Sequence, residues 1–161
     1  MHVKLAELFS PEAIRLRLVT GDRGVLRELS ELLALRVHRP AQEICEQLIE
    51  REAKGSTALG DGVALPHCKL EGVERTAACL ALSPAGIEFG AADGLPTRIF
   101  VGLISPLHAD GAHLQALARV ASLLKSPHVR NELLRATSQA GIYDLLREEE
   151  RAHDAARGLL R

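Results

Sequence analysis

Tryptophan is absent, and aromatic residues make up only 2% of the 161-residue chain, as Phe9, Phe89, Phe100 and Tyr143. The core must therefore be aliphatic, and the stacking platforms that bases and sugar rings require are missing. Three cysteines, Cys45, Cys68 and Cys79, stand without any CxxC spacing. That argues against a disulfide framework and a zinc ribbon and predicts a reducing, cytoplasmic setting. Charge of one sign is not in excess, with Lys plus Arg at 20, Asp plus Glu at 21 and a net charge of −1. No basic field gathers a polyanion, so no nucleic-acid partner is expected. No apolar run approaches the roughly 18 residues of a membrane span, and the opening MHVKLAELFSPEAIRLRLV has no secretory core, so no membrane insertion is expected. With 47% hydrophobic and 25% charged residues the chain is not disordered. Its length predicts a single domain over residues 1–161.

What is present reads as helix, strand and helix again. Ile14 to Val19 alternates apolar and basic residues, the period of a half-buried strand, and Thr20-Gly21-Asp22 ends it. Val25, Leu29, Leu32 and Leu33 recur at helical spacing, and Ile44, Cys45, Leu48 and Ile49 form a second stripe after Pro40. Residues 55–70, GSTALGDGVALPHCKL, read as exposed, constrained backbone, with Gly55, Gly60, Asp61 and Gly62 as turn residues and Pro66 barring a helix into His67. The apolar runs 76–82 and 97–104 are bounded by Ser83-Pro84 and Ser105-Pro106 and predict central strands, with Ile87 to Phe89 as a short edge strand. Helices return with Leu114, Leu117, Val120, Ala121 and Leu124 behind Asp110, with Val129, Leu133 and Leu134 behind the Ser126-Pro127 cap, and with Ile142, Leu145 and Leu146. The expected fold is α/β, a mixed β-sheet of about five strands flanked by helices. Its core spans about residues 5–147, and residues 148–161 form a charged, frayed tail in which Glu148-Glu149-Glu150 is a solvated face.

Nucleotide and zinc-protease motifs are absent, and Ser122-Leu-Leu-Lys125 lies in an amphipathic helix without the companions of an SxxK nucleophile. Histidines carry the chemistry. His67 lies at the end of a strand-like stretch stiffened by Pro66, where sites on α/β folds gather, and His108 and His113 follow the strongest central strand. If those strand ends are neighbours, two imidazoles meet. An imidazole titrates near neutral pH, is a nucleophile when neutral and can hold a phosphoryl group, and a cation such as Arg51 would offset the phosphate charge. Bland readings stand beside these: histidines near turns are commonly capping residues, and Arg51 alone could be a helix-end residue lying along the surface. His2, His38, His128 and His153 read as surface residues. Zinc on the three histidines and Cys68, and a redox-sensitive thiol at Cys68, are alternatives, while packing is the default for Cys68 and Cys79.

The stretch from Arg51-Glu52 through Gly55-Ser56-Thr57 and Gly60-Asp61-Gly62 to Pro66-His67 has the form RE-x-x-GST-x-x-G-x-G-x-A-x-PH. It resembles the active-site signature of the fructose/mannitol-type enzyme IIA domains of the bacterial phosphoenolpyruvate-dependent phosphotransferase system. The opening LFSPEAIRLRL and the stretch from His113 onward look like the same family, so the resemblance covers about residues 5–147. It implies a mannitol-type enzyme IIA sandwich in which His67 accepts a phosphoryl group on Nε2 from a histidine-phosphorylated carrier protein. His113, 46 residues later in an HL-x-x-L context, would orient that group, and Arg51, 16 residues earlier, would stabilise its charge. Ser56 and Thr57 would line the pocket with hydroxyl and backbone N–H groups. No cofactor and no metal is implied. His108 has no assigned counterpart, and Cys68 stands where the family usually has Gly or Ala. The opening and the GST details look most like the stand-alone nitrogen-regulatory branch, implying a phosphocarrier whose phosphorylation state selects regulatory target proteins. A sugar-transport component donating to a permease is the alternative within the same chemistry, and a non-catalytic interaction module is the alternative of another class.

Overall fold

The computed structural model describes residues 3–18 and 22–158, the side chains of residues 22 and 23 excepted. The chain runs α1 (Leu5–Leu8), a 3-10 turn (Pro11–Ala13), β1 (Ile14–Arg15), α2 (Asp22–Val37), α3 (Ala41–Ala53), β2 (Ala58–Gly60), β3 (Val63–Ala64) and β4 (His67–Leu70). It continues through β5 (Ala77–Ile87), β6 (Thr97–Pro106), α4 (Asp110–Leu124), α5 (Pro127–Arg135) and α6 (Gln139–Ala156). The strands form one six-stranded mixed sheet, ordered β1-β5-β6-β3-β2, with β4 also on β6. β5 and β6 are antiparallel, while β3 and β4 both run parallel to β6, at Ile99 and Phe100 and at Leu103 to Pro106 respectively.

Alternation along the two long strands sorts the core into two layers. Ala78, Leu80 and Leu82 of β5 and Ile99, Val101 and Leu103 of β6 pack with α1, α4, α5 and α6. Ala77, Cys79, Ala81, Phe100 and Ile104 face the other way, toward α2 and α3. Helices cover both faces, which is why these strands read as continuous apolar runs. The fit is close at Gly102, where a Cβ would come within 2.8 Å of Cys79 Sγ and 3.4 Å of Leu33. Burial pushes the Cys68 and Cys79 thiols up to about 12, so both are packing groups, while Cys45 on α3 is half-buried. Among the described residues no helix is long and apolar enough to cross a membrane.

Several elements depart from expectation. The first strand keeps its sheet partner for only two residues, although Leu18 N–H still donates to the Leu82 carbonyl at 2.7 Å. Its continuation through Val19 and the turn at Thr20 and Gly21 lie outside the described residues, as does His2. Residues 55–70, expected as exposed, constrained backbone with a strand-like stretch before His67, hold three short strands, and Val63 to Pro66 are buried because β3 pairs with β6 under the helices. Ser83-Pro84 and Ser105-Pro106 do not end their strands: β5 carries an irregularity between Leu82 and Ile87, where its proline is tolerated, and absorbs the expected edge strand at Ile87. On α4 the buried stripe is His113, Ala116, Val120, Leu123 and Leu124, leaving Leu114 65% exposed. The stripe is rotated because a histidine occupies a core position. On α3, Ile44 and Leu48 are buried but Ile49 is exposed. His128 is exposed, whereas His153 is half-buried.

The expected frayed tail is helical from residue 148 as far as Ala156. α6 continues to Ala156 with Glu150 and Asp154 buried, so the glutamate run is not wholly a solvated face. Leu5 N–H donates to Glu150 Oε2, Tyr143 donates to the Ala6 carbonyl at 2.8 Å, and Gln139 Nε2 donates to the Ile14 carbonyl at 2.7 Å. These bonds clamp α1 and β1 under α6, and Arg119 on α4 feels the charges of Glu150 and Asp154. Replacing Glu150 with Ala leaves the Leu5 N–H unsatisfied in the interior, at a cost of about 1 to 3 kcal/mol. Urea denaturation of E150A should show that loss, and a change below about 0.5 kcal/mol would mean the clamp does not stabilise the fold.

Candidate functional site

The approach to His67 is set by a two-residue hairpin. Asp61 and Gly62 join β2 to β3, with φ of 56° and 76°, the doubly left-handed geometry that favours an Asp-Gly pair. Asp93 holds the turn from outside, accepting from Asp61 N–H at 2.9 Å and Leu95 N–H at 3.0 Å. At the base, both oxygens of Glu52 grip Thr57, one accepting from its N–H at 2.8 Å and the other from its hydroxyl at 2.6 Å. The Leu65 N–H then donates to the Thr57 carbonyl at 3.0 Å, and the Leu103 N–H donates to the Pro66 carbonyl at 3.0 Å. Pro66 thus passes the chain from β3 to β4 along the same edge of β6 without needing a donor of its own.

His67 therefore opens β4 rather than ending a strand, in register with Leu103. Its Nδ1 lies 2.7 Å from the Leu65 carbonyl. A carbonyl only accepts, so Nδ1 carries the proton and Nε2 of the neutral ring keeps its lone pair. Period two sends His67 and Lys69 to the face covered by α4, and Cys68 to the opposite core.

On α4, His113 is buried, and its ring centroid lies 5.5 Å from that of His67. Its Nδ1 is 2.6 Å from Ser105 Oγ, and Thr76 donates its hydroxyl to the same Ser105 oxygen at 3.0 Å. Lys69 reaches Asp110 at the start of α4 at 2.5 Å, and this pairing lowers the Asp110 pKa. Burial depresses the His67 pKa, assisted by the Arg51 and Lys69 charges and opposed by its bond to Leu65 and by Glu52. Burial also pushes His113 down to about 4, with His67 and Lys69 acting in the same direction and Asp110 against it. Both rings are neutral at neutral pH, so one can act as nucleophile and the other as hydrogen-bond partner, with two cations at hand.

The expected site residues divide accordingly. His67 and His113 meet. Arg51 stands in the last turn of α3, its Nη1 donating to the Gly55 carbonyl at 3.0 Å, close enough for its charge to act on His67. Ser56 and Thr57 border the turn, but their hydroxyls have partners: Ser56 donates to the Phe89 carbonyl at 3.2 Å and accepts from Ala58 N–H at 3.1 Å, and Thr57 is held by Glu52. His108 is exposed beside the site, and Cys68 packs inward. Among the described residues no three His, Cys, Asp or Glu side chains gather as a metal site, so the zinc alternative has no ligand set. Sequence reading assigned no site role to Lys69, Glu52, Asp93 or Ser105. Of these, Glu52 stands in the Arg51-Glu52 pair of the signature and Lys69 lies two residues beyond His67 on a strand.

A family model described as "Phosphoenolpyruvate-dependent sugar phosphotransferase system, EIIA 2" matches residues 7–149. A curated relative from Bradyrhizobium diazoefficiens named "Nitrogen regulatory protein" is 34% identical over 143 residues, covering 88% of this chain and 94% of its own. The crystal structure of the nitrogen regulatory protein IIA-Ntr from Neisseria meningitidis superposes with a TM-score of 0.82 at 28% identity, over 88% of this chain and 98% of that one. The mannitol IIA of Escherichia coli shares the fold, with a TM-score of 0.72 at 23% identity over 86% of this chain and 98% of its own. Helices on both faces of a mixed sheet, two apposed neutral imidazoles at one edge and a family match across nearly the whole chain lead to one conclusion: the chain belongs to the EIIA 2 family of the phosphoenolpyruvate-dependent sugar phosphotransferase system.

Proposed function

We propose that His67 accepts a phosphoryl group on Nε2 from a histidine-phosphorylated carrier protein, and that the chain is a cytoplasmic regulator whose phosphorylation state selects its protein partners. The observation that carries this reading is the bond between His67 Nδ1 and the Leu65 carbonyl, which makes Nε2 the nucleophilic nitrogen. In the transfer the Nε2–P bond forms as the donor's N–P bond breaks, and the electron pair of the broken bond returns to the donor imidazole. The His67 ring, still protonated on Nδ1, becomes cationic, and the Leu65 carbonyl stabilises it.

Arg51 and Lys69 balance the anionic phosphoryl oxygens, and His113 orients them. Glu52 and Asp93 keep the surrounding turns in place, so Ser56 and Thr57 contribute the shape of the pocket wall more than free hydroxyls. Transfer of this kind depends on positioning and charge stabilisation. The regulatory half of the reading is supported by the near full-length match to a relative named as a nitrogen regulatory protein. Adding about −1.5 to −2 charges beside a half-buried edge of the sheet changes what that surface attracts.

Incubation with phosphoenolpyruvate, enzyme I and a histidine carrier should add one acid-labile phosphoryl group to the wild type and none to H67A, read by intact mass. An unmodified wild type beside an active carrier would overturn the reading. R51A should slow acceptance about 10²-fold or more, as loss of one charge-stabilising group does elsewhere, and an unchanged rate would remove Arg51 from the site. Pull-downs with the two phosphorylation states should recover different partners, and identical sets would reject the regulatory half.

The depressed His113 pKa has a consequence for stability. Well above pH 6.5, the ordinary value of the unfolded chain, the ring is neutral in both folded and unfolded chains and contributes no pH dependence. As pH falls from there toward about 4, the unfolded chain takes up a proton that the folded chain refuses, so stability is lost. Denaturation of wild type and H113Q between pH 7 and 4 should show a shallower decline in the variant, and parallel curves would place the His113 pKa near its ordinary value.

A further inference from the structure

The two rings of the site are tied to the protein through the same nitrogen but by different kinds of group. His67 Nδ1 meets a carbonyl, which can only accept, so its tautomer is decided by the backbone. His113 Nδ1 meets the Ser105 hydroxyl, which can donate or accept, so Ser105 alone leaves the tautomer open. With Thr76 as donor to Ser105, the hydroxyl chain runs toward His113. Thr76 precedes β5 and lies across from Ser105 on β6, and its hydroxyl donates to Ser105 Oγ at 3.0 Å. Ser105 then has one proton of its own left to place, and His113 Nδ1 stands 2.6 Å away. Ser105 is fully buried, so no solvent molecule competes for that proton.

We infer that Thr76 and Ser105 are positioning residues that hold neutral His113 as its Nε2–H tautomer, so that the ring offers a proton donor to the phosphoryl group on His67. The inference rests on the phosphoryl-acceptor reading of His67 for its consequence, but not for the tautomer itself. With the hydroxyl chain reversed, His113 would carry its proton on Nδ1 and turn a bare Nε2 lone pair toward an anionic group, beside a His67 ring whose Nε2 is bare as well. Such an arrangement repels at the moment of transfer, whereas the chain running from Thr76 through Ser105 to His113 attracts. Burial and the nearby His67 and Lys69 keep the His113 ring neutral, with Asp110 opposing, which is the condition for a tautomer to exist.

The test is long-range 1H–15N correlation of the imidazole rings in the unphosphorylated full chain at neutral pH. His113 should appear as the Nε2–H form and His67 as the Nδ1–H form. A wild-type His113 protonated on Nδ1 overturns the inference whatever the variants do. S105A should shift His113 toward a mixture of tautomers and slow phosphoryl acceptance on the order of tenfold, the scale of one buried hydrogen bond. T76V, which keeps the side-chain shape, should act in the same direction but less strongly. S105T restores the hydroxyl and should restore both the tautomer and the rate, and an unaltered tautomer in S105A would also overturn the inference. Failure of the wild type to accept phosphate with the Nε2–H tautomer present would reject the phosphocarrier reading and leave the positioning inference standing.

Discussion

Strand β6 has no free edge, and the site exists because of that. β5 occupies one side along nearly its whole length, and β3 and β4 share the other in succession, one beside Ile99 and Phe100 and the next beside Leu103 to Pro106. Both faces lie under helices, so each backbone group of β6 must find its partner in a neighbouring strand. That requirement places His67 opposite Leu103, and the same strand supplies Ser105 to His113. The two imidazoles, 46 residues apart in the chain, are held by positions 103 and 105, successive on one face of a single buried strand, which fixes their separation more firmly than two loops could.

Burial outweighs local charge in setting the state of the rings. Lys69 and Arg51 lower the His67 pKa and Glu52 raises it, but removal from water is the largest influence, as it is for His113. The pairing of Lys69 with Asp110 is exposed, and an ion pair of that kind contributes little to stability. Its effect is one of place, because it keeps a cation on the α4 side of His67 while Arg51 stands on the α3 side. The site is thus prepared for an anion while carrying no anion of its own on either ring.

Much of this was legible in the sequence. Apolar runs without alternation told of strands buried on both faces, the Asp-Gly pair told of a tight turn before Pro66, and Ser126-Pro127 told of a helix cap whose Oγ indeed accepts from Val129 N–H. What failed did so for physical reasons. α4 was read by its leucines, yet the inward position went to His113 because the imidazole had a hydroxyl to meet, and burying a polar group is tolerable when it is hydrogen-bonded. The C-terminal segment was read by its charge, yet Glu150 turns inward to receive the Leu5 N–H, a partner 145 residues away that no local pattern announces. The roles of Glu52, although it stands in the signature, and of Asp93 were hidden for the same reason. Both residues act on backbone N–H groups, and a backbone acceptor leaves no mark in side-chain periodicity.

The unequal burial of the three thiols makes the chain its own single-site labelling scaffold. Cys68 and Cys79 sit inside the sheet with pKa values near 12, so a maleimide or a bromoalkyl fluorophore meets little thiolate there. Cys45 is half-buried on α3, six residues before Arg51 and so about 9 Å from it along the helix axis. A dye at Cys45 would report through anisotropy or quenching when a partner covers this side of the protein, with no cysteine to remove beforehand.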